Sequence, residues 1–327
     1  MGVLRRHIGK WYRKTVSLLL LGLVGLLIFS ACSHETNQSV GDSEKILENC
    51  RIVEHTAGES CIPHQPKRVV TLWMGTFSSA LALGIQPIAT AWYPGGVLPT
   101  HLGNQTYDVE NMGFEPNLER ILSLQPDLIL SNTRLEDIYT QLSTIAPTVV
   151  LDHPAPPAPW QKTLQDLAKV LDKEQKSQQL IGRYWERIEQ LKKALGDRRL
   201  EIEVSVANID KTYGIYTYGT KHPTGAVLDD LELQRPPAQR GEFFTRDRIS
   251  WEHLSDIDGD VLFLSYRGGE EAKEALEKLQ QSPLWQKLRV VQKNRVYLVN
   301  SDHWYAFDIL AINAVIDDLF KYLVNTP

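Results

Sequence analysis

Two stretches of this chain repeat one pattern about 130 residues apart: Pro116–Leu130 (PNLERILSLQPDLIL) and Ile249–Phe263 (ISWEHLSDIDGDVLF). Aligned on Glu119 and Glu252, each copy has a helix-capping residue two positions earlier (Asn117, Ser250). Aliphatic side chains follow at Ile121 and Leu254 and again at Leu124 and Ile257, with an aspartate at Asp127 and Asp260. Each copy then opens a short apolar run, Leu128–Leu130 and Val261–Leu264. The pattern predicts a short capped helix, a tight turn and a buried strand, used twice. Solenoid repeats recur every 20–50 residues or so, so this spacing fits two similar α/β lobes instead. Two lobes imply a cleft between them.

The first 31 residues read as a leader. Arg5, Arg6, Lys10, Arg13 and Lys14 precede an uncharged, mostly apolar run from Val16 to Phe29, which is too short to span a bilayer comfortably and suits a secretory signal. The run ends in Phe29-Ser30-Ala31-Cys32, similar to a bacterial lipoprotein processing site and placing a lipid on Cys32, with residues 32–49 as a polar tether. Losing residues 1–31 removes five of 35 basic residues and none of 40 acidic ones, so the formal charge moves from -5 to -10. No basic stripe with interleaved aromatics is present, which argues against nucleic acid as a partner. An anionic ligand would need a local basic pocket.

Cys50 and Cys61 remain, in the polar segment CRIVEHTAGESC. In an oxidising compartment such a pair reads as a disulfide closing a small loop, worth about 2–3 kcal/mol by loop entropy. Metal binding with His55 and His64 is the competing idea, but the spacing fits no standard zinc pattern.

Strands are expected at 67–72, 88–92 and 148–151, with helices through 78–83 and 135–142. Alternating strand and helix argues for mainly parallel sheets. The proline-rich segment HPAPPAP (153–159) marks the boundary of an N-terminal lobe spanning 50–159. The linking segment 160–196 holds an amphipathic helix and then a longer one, capped by Asp172 and ended by Gly196, which at 1.5 Å per residue reaches roughly 34 Å and joins the lobes. Residues 197–327 form the second lobe, with strands at 202–207, 215–218 and 295–299 and a terminal helix over 307–323. The fold class is therefore α/β: two lobes with mainly parallel sheets joined by one long helix.

The segments PKRVVTL, GFEPNLERILSLQPDLIL, GAVLDDLELQRP, ISWEHLSDIDGDVLFL and NRVYLVNSDHWYAFDILAINAVIDDLFKYL together resemble the periplasmic iron-siderophore and cobalamin substrate-binding proteins of ABC importers. The resemblance covers about residues 50–325. It implies a lipid-anchored, extracytoplasmic, monomeric carrier that holds ligand between its lobes and delivers it to a permease driven by a cytoplasmic ATPase. It also implies that Glu119 and Glu252 stand on top of their lobes and pair with permease arginines. A carboxylate near a helix start gains about 0.3–1 kcal/mol from the exposed amides, so helix chemistry alone also accounts for each glutamate.

A ferric siderophore is bulky, is often anionic and has no open metal position, so its receptor needs aromatic surface and a few guanidinium or phenol donors. Loops that follow strands supply Trp73, Trp92 and Tyr93 from the first lobe and Tyr216 and Tyr218, with Tyr213, from the second. Arg240, Phe243 and Arg246, with Phe244, come from a turn-rich stretch. Tyr266 and Arg267 follow a strand, and Trp304 and Tyr305 precede the last helix. Arg134 and Lys221 read more simply as solvated loop charges.

His153, His222, His253 and His303 are scattered and form no metal-binding constellation, so no metal site or cofactor is expected beyond iron carried inside the ligand. No GxSxG, P-loop or dinucleotide fingerprint occurs, which argues against an enzyme and leaves a cleft hydrolase or lyase as the remote alternative. The expectation is a ferric-siderophore-binding lipoprotein. Heme, through an axial Tyr or His, and cobalamin, through an aromatic cleft less dependent on arginine, stay open within the same family.

Overall fold

The computed structural model describes residues 50–91, 98–305 and 307–324. The leader, the tether with Cys32, and the pair Trp92 and Tyr93 lie outside them. Strands β1 (Cys50–His55) and β2 (Gly58–Pro63) form a two-stranded sheet, and Cys50 and Cys61 are disulfide-bonded. The Ser60 hydroxyl and the Thr56 amide donate to the carbonyls of Thr148 (2.8 Å) and Val150 (3.2 Å). This ties the two-stranded sheet to the first lobe.

That lobe is built on β3 (Val69–Thr71), β4 (Ala89–Thr90), β5 (Glu110–Asn111), β6 (Leu128–Asn132) and β7 (Thr148–Leu151), ordered β5-β4-β3-β6-β7 with every pairing parallel. Helices α1 (Met74–Ala82), α2 (Leu118–Ser123) and α3 (Tyr139–Ile145) accompany it. Val69, Val70 and Leu128–Leu130 are fully buried, as a parallel sheet covered on both faces requires. The expected helix over 135–142 is broken, because Leu135 leaves helical geometry inside a tight turn over Thr133–Ile138 before α3 begins.

Helices α4 (Trp160–Leu171) and α5 (Glu174–Leu195) then carry the chain to the second lobe. Asp172 does not cap α5: it sits in the left-handed region (φ 55°) and terminates α4, donating its amide to the Ala168 carbonyl. Aspartate tolerates that region better than most residues. At 22 residues α5 is about 33 Å long. It is fastened by the Tyr184 hydroxyl to Asp230, by Arg187 to Asn313 (2.9 Å) and Asp317 (2.5 Å), and by Lys192 to Glu232 (2.9 Å).

The second lobe contains β8 (Val204–Asp210), β9 (Gly214–Tyr218), α6 (Pro223–Asp230), β10 (Thr245–Arg246), β11 (Val261–Arg267), α7 (Gly269–Gln281), α8 (Arg289–Gln292), β12 (Val296–Leu298), α9 (Ser301–Trp304) and α10 (Ile309–Leu319). Its sheet order is β10-β9-β8-β11-β12, parallel across β8-β11-β12 and antiparallel at β9 and β10. The terminal helix starts two residues later than the sequence suggests, because Asp308 caps it by accepting from the amides of Leu310 (2.9 Å) and Ala311 (3.0 Å). Among the described residues, no helix is long and apolar enough to cross a membrane.

The duplicated motif is structurally duplicated too. Asp127 accepts from the Lys67 (2.7 Å) and Arg68 (2.9 Å) amides just before β3, and Asp260 accepts from the Glu203 amide (3.1 Å) just before β8. In each lobe the aspartate that opens one central strand clips the start of its neighbour. The registers correspond, with Leu128 level with Val69 and Val261 level with Val204. The helices differ. Asn117 caps α2 by accepting from the Arg120 amide (2.9 Å), whereas the Ser250 hydroxyl is engaged by the His253 ring (2.9 Å) and caps nothing. The second copy is accordingly a tight 3-10 segment, Trp251–Ile257.

One hydrophobic cluster runs through both lobes. It joins Val69, Leu128 and Leu130 of the first sheet to Val204, Val206 and Phe263 of the second, through Trp160 and Leu164 of α4, Tyr184 and Ile188 of α5, and Ile312 and Ile316 of α10. Smaller clusters cover the far face of each sheet. The lobes thus share a core.

Candidate functional site

Ligands of open α/β sheets gather beyond the carboxyl ends of the strands. In the first lobe that edge brings together Trp73 after β3, Arg134 after β6 and His153 after β7. The Trp73 ring is almost buried, the Arg134 guanidinium carbon lies 5.7 Å from its centroid, and the His153 ring lies 4.4 Å away. The Arg134 amide donates to Asn132 Oδ1 (2.9 Å), fixing the turn that presents it. Burial, then the Arg134 charge, push His153 down to about 4 against a smaller opposing pull from Asp152, and its Nε2 is buried without a partner. Neutral, it remains free to bond a ligand.

In the second lobe Arg267 ends β11 with its guanidinium carbon 4.2 Å above the Tyr305 ring. Tyr216 of β9 is buried, with its ring 6.5 Å from Tyr305, and burial, with its neighbours Tyr218 and Tyr305, raises its hydroxyl well above the ordinary phenol range. Behind them Phe244 and Phe307 stack (6.0 Å, 12°), and His222 lies against both while stacking flat on Tyr218 (3.7 Å, 6°). His222 caps α6 by accepting from the Thr224 amide at Nδ1 (3.2 Å), and burial, then Arg235, hold it neutral.

The two groups meet at one glycine. A β-carbon on Gly75, in the first turn of α1, would fall 2.9 Å from Trp73 Nε1 and 3.8 Å from Phe307 Cβ. A side chain there would crowd the Trp73 indole, while Phe307 of the other lobe stands at ordinary contact distance from the same point. Beneath it the fully buried Asp308 is hydrogen-bonded by Ser78 of α1, and burial raises its carboxyl to about 6.

The remaining residues expected at the site lie elsewhere. Trp304 is core, stacked on Phe263 (4.6 Å) with Nε1 donating to Asp318 (2.8 Å). Tyr218 is core, accepting from Asn208 (3.3 Å). Tyr266 packs into the cluster on the other face of β11 from Arg267, as strand alternation dictates. Arg240 bonds the Arg235 carbonyl (2.7 Å) and pairs with Glu203 (3.3 Å), near the amino end of β8. Arg246 lies over Phe243 (4.9 Å), which packs on Gly219. Tyr213 is exposed beside Tyr216 (6.1 Å), and Lys221 faces Glu242 at 3.9 Å.

Glu119 and Glu252 are exposed in the first turns of their segments, and neither forms a salt bridge among the described residues. Beside Glu252, the exposed Trp251 borders a groove of about 510 Å³ shared with Ile215, Arg248 and Lys278.

Histidine protonation sets the pH response of the fold. His153 and His101 each sit near 4 when folded, from burial first and then from Arg134 and His303 respectively, against the ordinary histidine value of 6.5. The unfolded chain therefore binds more protons between pH 6.5 and 4, and stability falls as pH falls through that window. Asp308, raised from 3.8 to about 6, and Asp230, also raised by burial, work in the opposite direction, while buried His222, held well below 6.5, adds to the effect of His101 and His153. The melting temperature at pH 5 should be at least about 3 °C below that at pH 7. Replacing His101 and His153 together by asparagine should reduce the difference, leaving the part that buried His222 supplies.

Comparison with known proteins agrees with this geometry. The Periplasmic binding protein family signature matches residues 102–303. The probable siderophore-binding lipoprotein YfiY of Bacillus subtilis is 34% identical, covering 96% of this chain and 99% of its own, and the Fe(3+)-citrate-binding protein YfmC of the same organism is 29% identical over 95% and 98%. Among solved structures, Staphylococcus aureus SirA complexed with staphyloferrin B superposes with a TM-score of 0.69 at 26% identity, covering 84% of this chain and 98% of SirA. With two α/β lobes, a cleft edge carrying cations and aromatics, and relatives matched over nearly their whole length, the chain belongs to the periplasmic binding protein family.

Proposed function

We propose that this protein is the extracytoplasmic binding component of an ABC importer and captures a ferric siderophore between its lobes. The observation that carries the reading is the pairing of Arg134 with Trp73 and of Arg267 with Tyr305 at the strand ends of opposite lobes, in a chain whose matched relatives bind ferric chelates. The aromatic faces cover the organic shell of the chelate, and the guanidinium groups meet its oxygens. Tyr216, His153 and Phe307 complete the wall. Iron arrives inside its chelator and needs no ligand from the protein. The protein binds its ligand without converting it.

Glu119 and Glu252 serve as docking points for the permease, one per lobe, and the permease is driven by a cytoplasmic ATPase. Trp251 and the groove beside it extend the second docking face. Export follows from residues 1–31, and lipid on Cys32 holds the monomeric carrier at the membrane through the tether 32–49. Lobes of 50–159 and 197–327 flank the linking helices of 160–196.

Tryptophan fluorescence of the purified protein, titrated with ferric hydroxamate, catecholate and citrate chelates, heme and cobalamin, tests the reading. Saturable quenching by a ferric chelate at micromolar or lower concentration is expected. Quenching by heme or cobalamin alone would replace it.

A further inference from the structure

The two guanidinium groups at the cleft edge are themselves a repeat. Arg134 and Arg267 are 133 positions apart, the same offset that relates Glu119 to Glu252 and Asp127 to Asp260. The strands that precede them, β6 and β11, occupy the same place in their sheets, each paired in parallel with strands on both sides. The duplicated unit therefore delivers one arginine to the carboxyl edge of each lobe at equivalent positions.

Both arginines lie over an aromatic ring, and neither forms a salt bridge among the described residues. Several other arginines are paired, among them Arg120 with Glu110 (2.5 Å), Arg187 with Asp317 (2.5 Å), and Arg240 and Arg289 with Glu203 (3.3 Å each), whereas Arg246, over Phe243, also forms no salt bridge among the described residues but lacks the duplicated placement. Asp152, close enough to act on His153, forms no salt bridge with Arg134 among the described residues, and the acids on the Arg267 side are engaged elsewhere. Asp210, level with Arg267 across β8 and β11, accepts from the Thr212 (2.7 Å) and Tyr213 (3.2 Å) amides, Asp302 accepts from the Thr100 amide (3.4 Å), and Glu270 and Glu271, just after Arg267, pair with Lys273 (2.8 Å) and Lys211 (2.5 Å). Two ring-supported cations without a salt-bridge partner among the described residues, in a chain whose exported part carries a formal charge of -10, form a local anion site.

We propose, resting on the carrier reading above, that Arg134 and Arg267 are a two-armed clamp selecting ferric chelates with at least two free, outward-facing carboxylates. A guanidinium matches a carboxylate as a bidentate fork. Trishydroxamate and triscatecholate chelators commit all six donor oxygens to iron, whereas hydroxycarboxylate chelators leave carboxylates at their periphery. One arm on each lobe makes the bound chelate a bridge between lobes, so each arm contributes fully only when the other is engaged.

The full-length protein, purified in detergent, is titrated with ferric citrate, the cationic trishydroxamate ferrioxamine B and a ferric triscatecholate, at low and high salt. Ferric citrate should bind at least about tenfold tighter than either of the others, with affinity falling as salt rises. Arg134→Gln and Arg267→Gln should each weaken ferric citrate by roughly 10- to 100-fold, with lysine at either position restoring part of the loss and the melting temperature unchanged. Ferrioxamine B or the triscatecholate binding as tightly as citrate, or arginine variants that leave citrate affinity and its salt dependence intact, would overturn the clamp while leaving the carrier reading in place. Failure of every ferric chelate to bind would remove the carrier reading and the clamp with it. Should Arg267→Gln fail to fold, Arg267→Lys and the salt dependence of the unaltered protein decide the same question.

Discussion

Cells that depend on this protein for ferric siderophore should lose uptake at least about 100-fold when Glu119 and Glu252 are both replaced by arginine, while the purified variant binds its ligand with unchanged affinity. Both carboxylates are exposed, neither is spent on an internal salt bridge, and neither lies among Trp73, Arg134, His153, Arg267 and Tyr305. Folding should hardly notice the change, since the helix-start effect is worth about 0.3–1 kcal/mol at each position. A partner surface built of arginines would notice it strongly, because opposed like charges at an interface cost several kcal/mol. Each single reversal should leave intermediate uptake, one lobe still being held. Loss of affinity in the purified double variant would instead assign the glutamates to the ligand side, and normal uptake would remove their docking role. Radiolabelled iron uptake beside fluorescence titration separates these outcomes.

Trp160→Ala should destabilise the protein by about 3–5 kcal/mol, the usual cost of emptying a buried aromatic site. Trp160 is 2% exposed, packs edge-on against Tyr184 of α5 (5.0 Å) and lies in the cluster that includes both sheets. Its indole Nε1 is buried without an acceptor, so Trp160→Phe gives up area but no hydrogen bond and should cost well under half as much. Because the core is continuous, unfolding of Trp160→Ala in guanidinium should remain one cooperative transition shifted to lower denaturant. Two separated transitions would show that the lobes fold independently and that the shared cluster is not holding them together.

Much of this architecture is legible in local sequence, because buried parallel strands are short apolar runs and packing helices repeat every three to four residues. The strand at 148–151 and the helix ended by Gly196 are where the pattern puts them. Caps are less legible. Ser250 stands where a cap belongs, yet its hydroxyl goes to a histidine three residues on, and Asp172 closes one helix rather than opening the next. The site is legible only in part, because an aromatic residue after a strand can turn to the cleft or to the core. Tyr305 stays half-buried under Arg267, whereas its neighbour Trp304 is drawn fully inward by Asp318. Arg240 meets its carboxylate 37 residues away, and His153 meets Trp73 across 80 residues of chain, separations that no local pattern reports. Arg134 reads alone as a solvated charge, and only the offset of the duplicated motif, carried seven residues beyond Asp127, marks it as the counterpart of Arg267.

The core shared by both lobes gives the carrier the mechanics of a spring. Walls that grow from one packed interior part by flexure of α4, α5 and α10 rather than by swinging on slack loops, so spreading them takes work and returns it. Under the proposed docking, a transporter that seizes Glu119 and Glu252 would pull on the segments that lead into β6 and β11, the strands whose far ends carry Arg134 and Arg267. Under that docking, unloading is a matter of force delivered at the feet of a carrier whose walls share one core.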